Sequence, residues 1–207
     1  MSTDLCKQTP ITEDPLILRY VEGLGHAAFR TGEWNLNLIG ERRGLQPDAF
    51  DDRIHAVYKA GGSWWWWTFP ATTDPGLKWL REPMNVRGTA ILVPGQYRGS
   101  HAIGMHQRRY AALVQVGELA VYRDGDRDDH LRPSGTIYRG TDFGINVHRA
   151  HSTTTTSRVG AYSAGCQVVQ VPDHFARLMT IAKRSTTQWG PRITYTLIDT
   201  VSADPGW

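Results

Sequence analysis

Residues 144–169 read GINVHRAHSTTTTSRVGAYSAGCQVV. Both ends of this stretch look like strands: residues 145–148 alternate, and residues 166–171 form a short apolar run. Between them lies a polar, serine- and threonine-rich segment that closes on the turn-like Ser163-Ala164-Gly165-Cys166. In a strand, Asn146 and His148 share one face while Ile145 and Val147 share the other. A polar face carrying a histidine is unusual for a core strand and natural for the wall of a site.

Outward from this stretch the same pattern repeats. Residues 36–39, 53–58, 64–69, 89–93, 111–116, 119–122 and 192–198 read as strands, separated by Gly61-Gly62, Asp74-Pro75-Gly76, Pro94-Gly95, Gly117-Glu118 and Asp124-Gly125-Asp126. Many short strands at this spacing predict a β-rich barrel or sandwich. Two segments have helical spacing. Residues 15–30 follow Asp14 as N-cap, with Pro15 in the first turn and Gly23 and Gly25 weakening the middle. Residues 172–184 place Phe175, Leu178, Met179 and Ala182 on one face. The expected class is mainly β with a few helices (α+β). Residues 1–32 form a leader and helical extension, residues 1–14 being loose, and residues 33–207 form the β-rich domain.

The 207 residues suffice for one sizeable domain, and 40% are hydrophobic. No apolar run reaches the ~18 residues of a membrane span, so no membrane insertion is expected. The formal charge is +3, and the arginine and lysine pairs are scattered rather than blocked, which argues against a nucleic-acid partner. The N-terminal MSTDLCKQTPITEDPLI carries acidic residues and prolines where a secretory signal needs a basic and then an apolar region. The expectation is a protein made in the cytoplasm. Cys6 and Cys166 make no disulfide framework and are read as free thiols. A monomer is expected.

A lone cysteine is usually a buried structural residue, and a lone histidine usually a surface or satisfied core one. Together they read differently. Gly165 permits a sharp turn and close backbone approach, and the N–H groups of Gly165 and Cys166 could receive an oxyanion. Ser163 can fix the turn locally. A neutral His148 could take the thiol proton and leave a nucleophilic thiolate. With no aspartate or asparagine obviously placed to orient its second nitrogen, a backbone carbonyl is the expected orienter.

The pattern His148-x(14)-Ser163-Ala164-Gly165-Cys166 resembles the signature of the L,D-transpeptidase (YkuD-like) catalytic domain family, a histidine followed at similar distance by Ser/Thr-His-Gly-Cys. The resemblance implies a β-rich fold with Cys166 as nucleophile, His148 as base, Gly165 and Cys166 as the oxyanion turn and the Arg149 carbonyl as orienter. It implies action on peptidoglycan stem peptides through a cysteine acyl-enzyme that water or an amine resolves, and no cofactor. Three positions depart from the family pattern: Ala164 replaces the second histidine, Arg149 follows the first, and Gln167 follows the cysteine. Read with the N-terminus, the resemblance favours a hydrolytic, lysin-type enzyme that reaches the cell wall after release or delivery.

Further residues are candidates for the cleft: Ser163, Tyr162, Asn146, His106 and Tyr97 for substrate. The bland reading of the His101–His106 region is a solvated loop. His101, His106, His148 and His151 lack standard metal-ligand spacing, so no metal is expected. The run Trp64 to Trp67 would send two rings to each face. It supports a rival function, a non-catalytic wall- or glycan-binding module with an aromatic platform, although packing at a junction is the simpler account. A cysteine peptidase or acyltransferase unrelated to cell walls is a third reading. Asp51, Asp52 and Asp74 could be paired glycosidase carboxylates but are better read as turn and cap residues. Residues 152–156 are expected to form a mobile loop.

Overall fold

The computed structural model describes residues 10–203 and 205–207. Cys6 and most of the expected leader lie outside the described residues. In chain order the elements are α1 (Leu16–Gly23), β1 (Asn37–Arg42), β2 (Asp52–Ala60), β3 (Ser63–Thr72), α2 (Leu77–Arg81), β4 (Thr89–Leu92), β5 (Gly95–His106), β6 (Tyr110–Gln115), β7 (Leu119–Asp124), β8 (Tyr138–Gly140), β9 (Val147–Arg149), β10 (Gln167–Val169), α3 (Pro172–Trp189) and β11 (Arg192–Asp199). Eight strands close a barrel in the order β1-β11-β5-β6-β9-β10-β3-β2, and β4-β7-β8 form a separate small sheet. The chain is therefore mainly β with helices added, as its turn-punctuated strands predict.

Alternation along the strands sorts side chains between two packed faces. Leu38 of β1, Ile54, Ala56 and Tyr58 of β2, Trp67 and Phe69 of β3 and Tyr195 and Leu197 of β11 join one core. The Phe175, Leu178, Ile181 and Ala182 face of α3 packs into that core. The opposite face of the same strands carries Ile39, Val57, Trp64 and Ile198, covered by Ile17, Leu18 and Val21 of α1. The N-terminal helix thus seals the barrel's second face. Its expected cap shifts by one residue: Pro15 is the N-cap, and Asp14 instead pairs with Arg30 and Arg19. The helix ends at Gly23, and Gly25 follows with φ +81°, a left-handed turn that glycine makes at no steric cost.

The tryptophan run divides as alternation requires, but both faces are covered. Trp64 and Trp66 pack with the α1 cluster, Trp65 and Trp67 with the main core. The indole N–H groups of Trp65, Trp66 and Trp67 donate to the Ala60 carbonyl, His55 Nδ1 and the Tyr58 hydroxyl. Trp64 and Trp67 are buried and Trp65 and Trp66 only partly exposed, so no four-ring strip lies open on the surface. The acidic residues are also structural. Asp52 accepts from the Arg43 and Thr73 N–H groups and the Thr73 hydroxyl. Asp74 forms a buried ion pair with Arg42, whose Nη2 lies 2.8 Å from Asp74 Oδ1 and also donates to the Leu92 carbonyl at 3.1 Å, tying the barrel to the small sheet.

The longest strand, β5, was not expected. The GQYRGSHAIGMH segment is rich in glycine and polar residues, and that composition reads as loop. Its glycines answer to packing: a Cβ on Gly104 would lie 2.6 Å from Val114 of the neighbouring strand. The barrel is narrowest in pairing around β9, which meets β6 through the single pair Leu113↔Val147 and β10 through three residues in parallel register. Here the ladder runs out, and the cleft opens.

Candidate active site

Cys166 immediately precedes β10, at the end of a turn built by its own residues. The Ser163 hydroxyl donates to the Cys166 carbonyl at 2.8 Å, and the Gly165 N–H donates to Ser163 Oγ at 3.1 Å. Gly165 has φ +115°, and a Cβ there would lie 2.4 Å from the Ala90 carbonyl oxygen. Both its conformation and its close approach to β4 require glycine. Gln167, the first residue of β10, is fully buried and braces the turn from inside the barrel. Its amide donates to the carbonyls of Gly165 and Thr73 at 3.2 and 3.1 Å, and its Oε1 accepts from the Tyr195 hydroxyl at 2.7 Å. Gly40 leaves the space for Tyr195 to reach across, since a Cβ there would collide with that hydroxyl.

His148 is the centre of β9 and is buried. Its Nδ1 lies 2.8 Å from the Arg149 carbonyl oxygen. A carbonyl only accepts, so Nδ1 carries the proton and Nε2 presents a lone pair. Nε2 is buried without a hydrogen-bond partner among the described residues. The Tyr110 hydroxyl reaches both the same carbonyl and Nδ1 at 3.3 Å, and the Arg149 guanidinium lies over the Tyr110 ring at 4.2 Å. His106 stacks on His148 with centroids 4.1 Å apart. Its tautomer is also determined. Asn146 Oδ1 accepts from the Gln115 N–H, so Asn146 Nδ2 must donate to His106 Nδ1 at 3.0 Å, and the neutral ring carries its proton on Nε2.

Cys166, His148, His106, Asn146 and Tyr162 line one cleft of about 410 Å³, with Trp79, Met84 and Phe143 as apolar walls. Cys166 is partly exposed to it. The thiol points at the Gly144 carbonyl, 3.3 Å away. Burial pushes its pKa up to about 11, against which the Asn146 N–H acts weakly. Burial, then the neighbouring His106, pushes His148 down to about 3, with the backbone of Arg149 and more loosely Tyr162 pulling the other way. Both shifts favour a neutral thiol and a neutral imidazole lining one cleft.

Four sequence-derived assignments need correction. The Gly165 N–H is already engaged by Ser163, so the turn's free donor is the Cys166 N–H, for which no partner exists among the described residues. Ser163 is buried and spends its hydroxyl within the turn, so it supports the nucleophile rather than facing substrate. Tyr97 lies in the core, its hydroxyl donating to the Val93 carbonyl at 2.5 Å. The cleft lacks it because β5 is a strand whose parity turns residue 97 inward. His101 is likewise no loop residue: it is fully buried and its Nε2 holds the Ile145 carbonyl at 3.0 Å. Tyr110, Trp79, Met84 and Phe143 carried no local signal, because only the pairing of His106 with Tyr110 across the β5–β6 hairpin and the loop packing bring them to the thiol. The chain matches no protein-family model, no curated protein and no solved structure.

Proposed function

We propose that the chain is a cysteine peptidase or acyltransferase that acts on peptidoglycan stem peptides through an acyl-enzyme on Cys166. The observation that carries the chemistry is a partly exposed thiol sharing a cleft with a histidine whose Nδ1 is locked on the Arg149 carbonyl and whose Nε2 is left unpaired. The substrate class rests on the resemblance of the His148 to Cys166 spacing to that of the L,D-transpeptidases.

In this mechanism the Cys166 sulfur attacks a peptide carbonyl as its proton passes to His148 Nε2. Both groups start neutral, so proton transfer accompanies attack. The carbonyls around the ring, that of Arg149 above all, stabilise the imidazolium that forms. The Cys166 N–H faces the oxyanion. Collapse breaks the peptide C–N bond, and the Nε2 proton goes to the leaving amine. Water or an amine then attacks the thioester, with His148 Nε2 again taking the proton and returning it to the sulfur.

Liquid chromatography with mass detection of purified muropeptides tests this. Wild-type protein should change the stem-peptide masses, while Cys166→Ala and His148→Ala should each lose about a thousandfold or more. Unchanged conversion by Cys166→Ala would remove the proposal.

A further inference from the structure

Beside the thiol cleft lies a second hollow of about 190 Å³ that shares Met84, Phe143 and Ala164 with it as a common wall. Arg123 of β7 and Asp142 both line it. Several arginines near carboxylates are paired with them, as Arg30, Arg42, Arg81 and Arg132 are. Arg123 is different. It is half-buried, lies 5.3 Å over the Phe143 ring and donates to the Gly88 carbonyl at 3.2 Å. No carboxylate comes within ion-pair distance of it among the described residues, nor of its neighbour Arg87, which lies over Tyr138 at 5.2 Å. Burial and then Arg87 lower the Arg123 pKa, and Asp142 counters them only through space. A guanidinium placed over an aromatic ring, partly desolvated and lacking a carboxylate, is set to take one from a ligand by paired hydrogen bonds. Asp142 is exposed and itself makes no ion pair among the described residues.

We infer that this hollow is a subsite for a zwitterionic amino-acid head group, its carboxylate on Arg123 and its ammonium on Asp142. A plain anion would leave Asp142 repelling it, and a plain cation would meet Arg123 and Arg87. Only a ligand with both charges on adjacent groups satisfies the site. The inference deepens the proposed function and rests on it in one respect: the head group belongs to a molecule reacting at Cys166. It is either a free amino acid serving as acyl acceptor or a side-chain terminus of the donor peptide.

The test is amide chemical-shift titration of the full chain carrying Cys166→Ala. This background separates binding from catalysis, so the subsite stands or falls independently of the acyl-enzyme. Glycine should shift the Arg123, Phe143 and Ala164 resonances, whereas glycinamide, N-acetylglycine and acetate should each bind about tenfold or more weakly. Arg123→Gln and Asp142→Asn should each lose about tenfold in glycine affinity. Should the arginine variant fail to fold, the exposed Asp142→Asn carries the comparison. Acetate binding as well as glycine, or glycine affinity unmoved in Asp142→Asn, overturns the inference. A peptide bearing the head group on a side chain, bound at least tenfold more tightly than glycine, assigns the subsite to the donor. Affinity equal to or below that of glycine assigns it to a free acceptor.

Discussion

The thiol of Cys166 hydrogen-bonds to the Gly144 carbonyl and is held neutral by burial, with a pKa pushed up to about 11. Its reactivity toward a small alkylating reagent should therefore climb about tenfold per pH unit between pH 7 and 10, following the thiolate fraction. Iodoacetamide kinetics in a Cys6→Ser background would show this. A rate flat from pH 6 to 8 would instead reveal a standing thiolate–imidazolium pair. Cys166 and His148 stood out in the sequence because their signals are local, a glycine turn and a strand; the Arg149 carbonyl that His148 Nδ1 meets was implied only by the family resemblance. The tautomers of His148 and His106 were not legible, because they depend on the Arg149 carbonyl and on an amide fixed by the Gln115 N–H. Ser163 and Tyr97 were misread because strand and turn geometry, not residue type, decides which way a hydroxyl faces.

At the scale of elements, the nucleophile turn is aimed by a bridge through the barrel, from Tyr195 of β11 to Gln167 of β10 to the Gly165 carbonyl. Tyr195→Phe leaves Gln167 Oε1 buried without its donor. The loss should be about 1–3 kcal/mol in urea unfolding, with a parallel fall in Cys166 reactivity as the turn loosens. Equal stability of the two proteins would show that the bridge is idle. The β5–β6 hairpin makes the other half of the site. Gln107 and Arg108 adopt φ of +48° and +59°, a conformation costing non-glycine residues roughly 1–2 kcal/mol each. The hairpin presents His106 and Tyr110 to His148. Sequence reading found β6 from its apolar run but not β5, whose glycines and polar side chains conceal a strand that is paired on both edges.

Across the whole molecule, several imidazoles are buried neutral. Burial pushes His101 down to about 4 and His148 down to about 3. The unfolded chain protonates these rings near pH 6.5, so between that value and the folded pKa values it binds more protons than the fold does. Stability must then fall as pH drops below 6.5. Asp52 acts oppositely. Burial, then Asp74, raises it to about 7, so its contribution is lost as pH rises from about 4 to 7. Burial raises Asp74 and Asp124 in the same direction as Asp52 and lowers His55, His106 and His174 in the same direction as His101 and His148. The imidazoles outnumber the carboxylates, so the urea midpoint should be lower at pH 5 than at pH 7; a higher midpoint at pH 5 would show that the buried carboxylates dominate. The mainly β class was readable from turn spacing. The choice of barrel over sandwich was not, because closure depends on the parallel pairing of β1 with β11, partners at opposite ends of the domain. Nor was the packing of α1 and of Trp64 and Trp66 over the barrel's second face.

The central claim is that Cys166 carries the substrate's acyl group. Rapid mixing of the protein with stem-peptide muropeptides, acid quench and intact-protein mass spectrometry tests it most directly. The account expects a peptidyl adduct that fragmentation places on Cys166 and that Cys166→Ala abolishes. Turnover of the muropeptides with no adduct at Cys166, or turnover that survives Cys166→Ala, would contradict it.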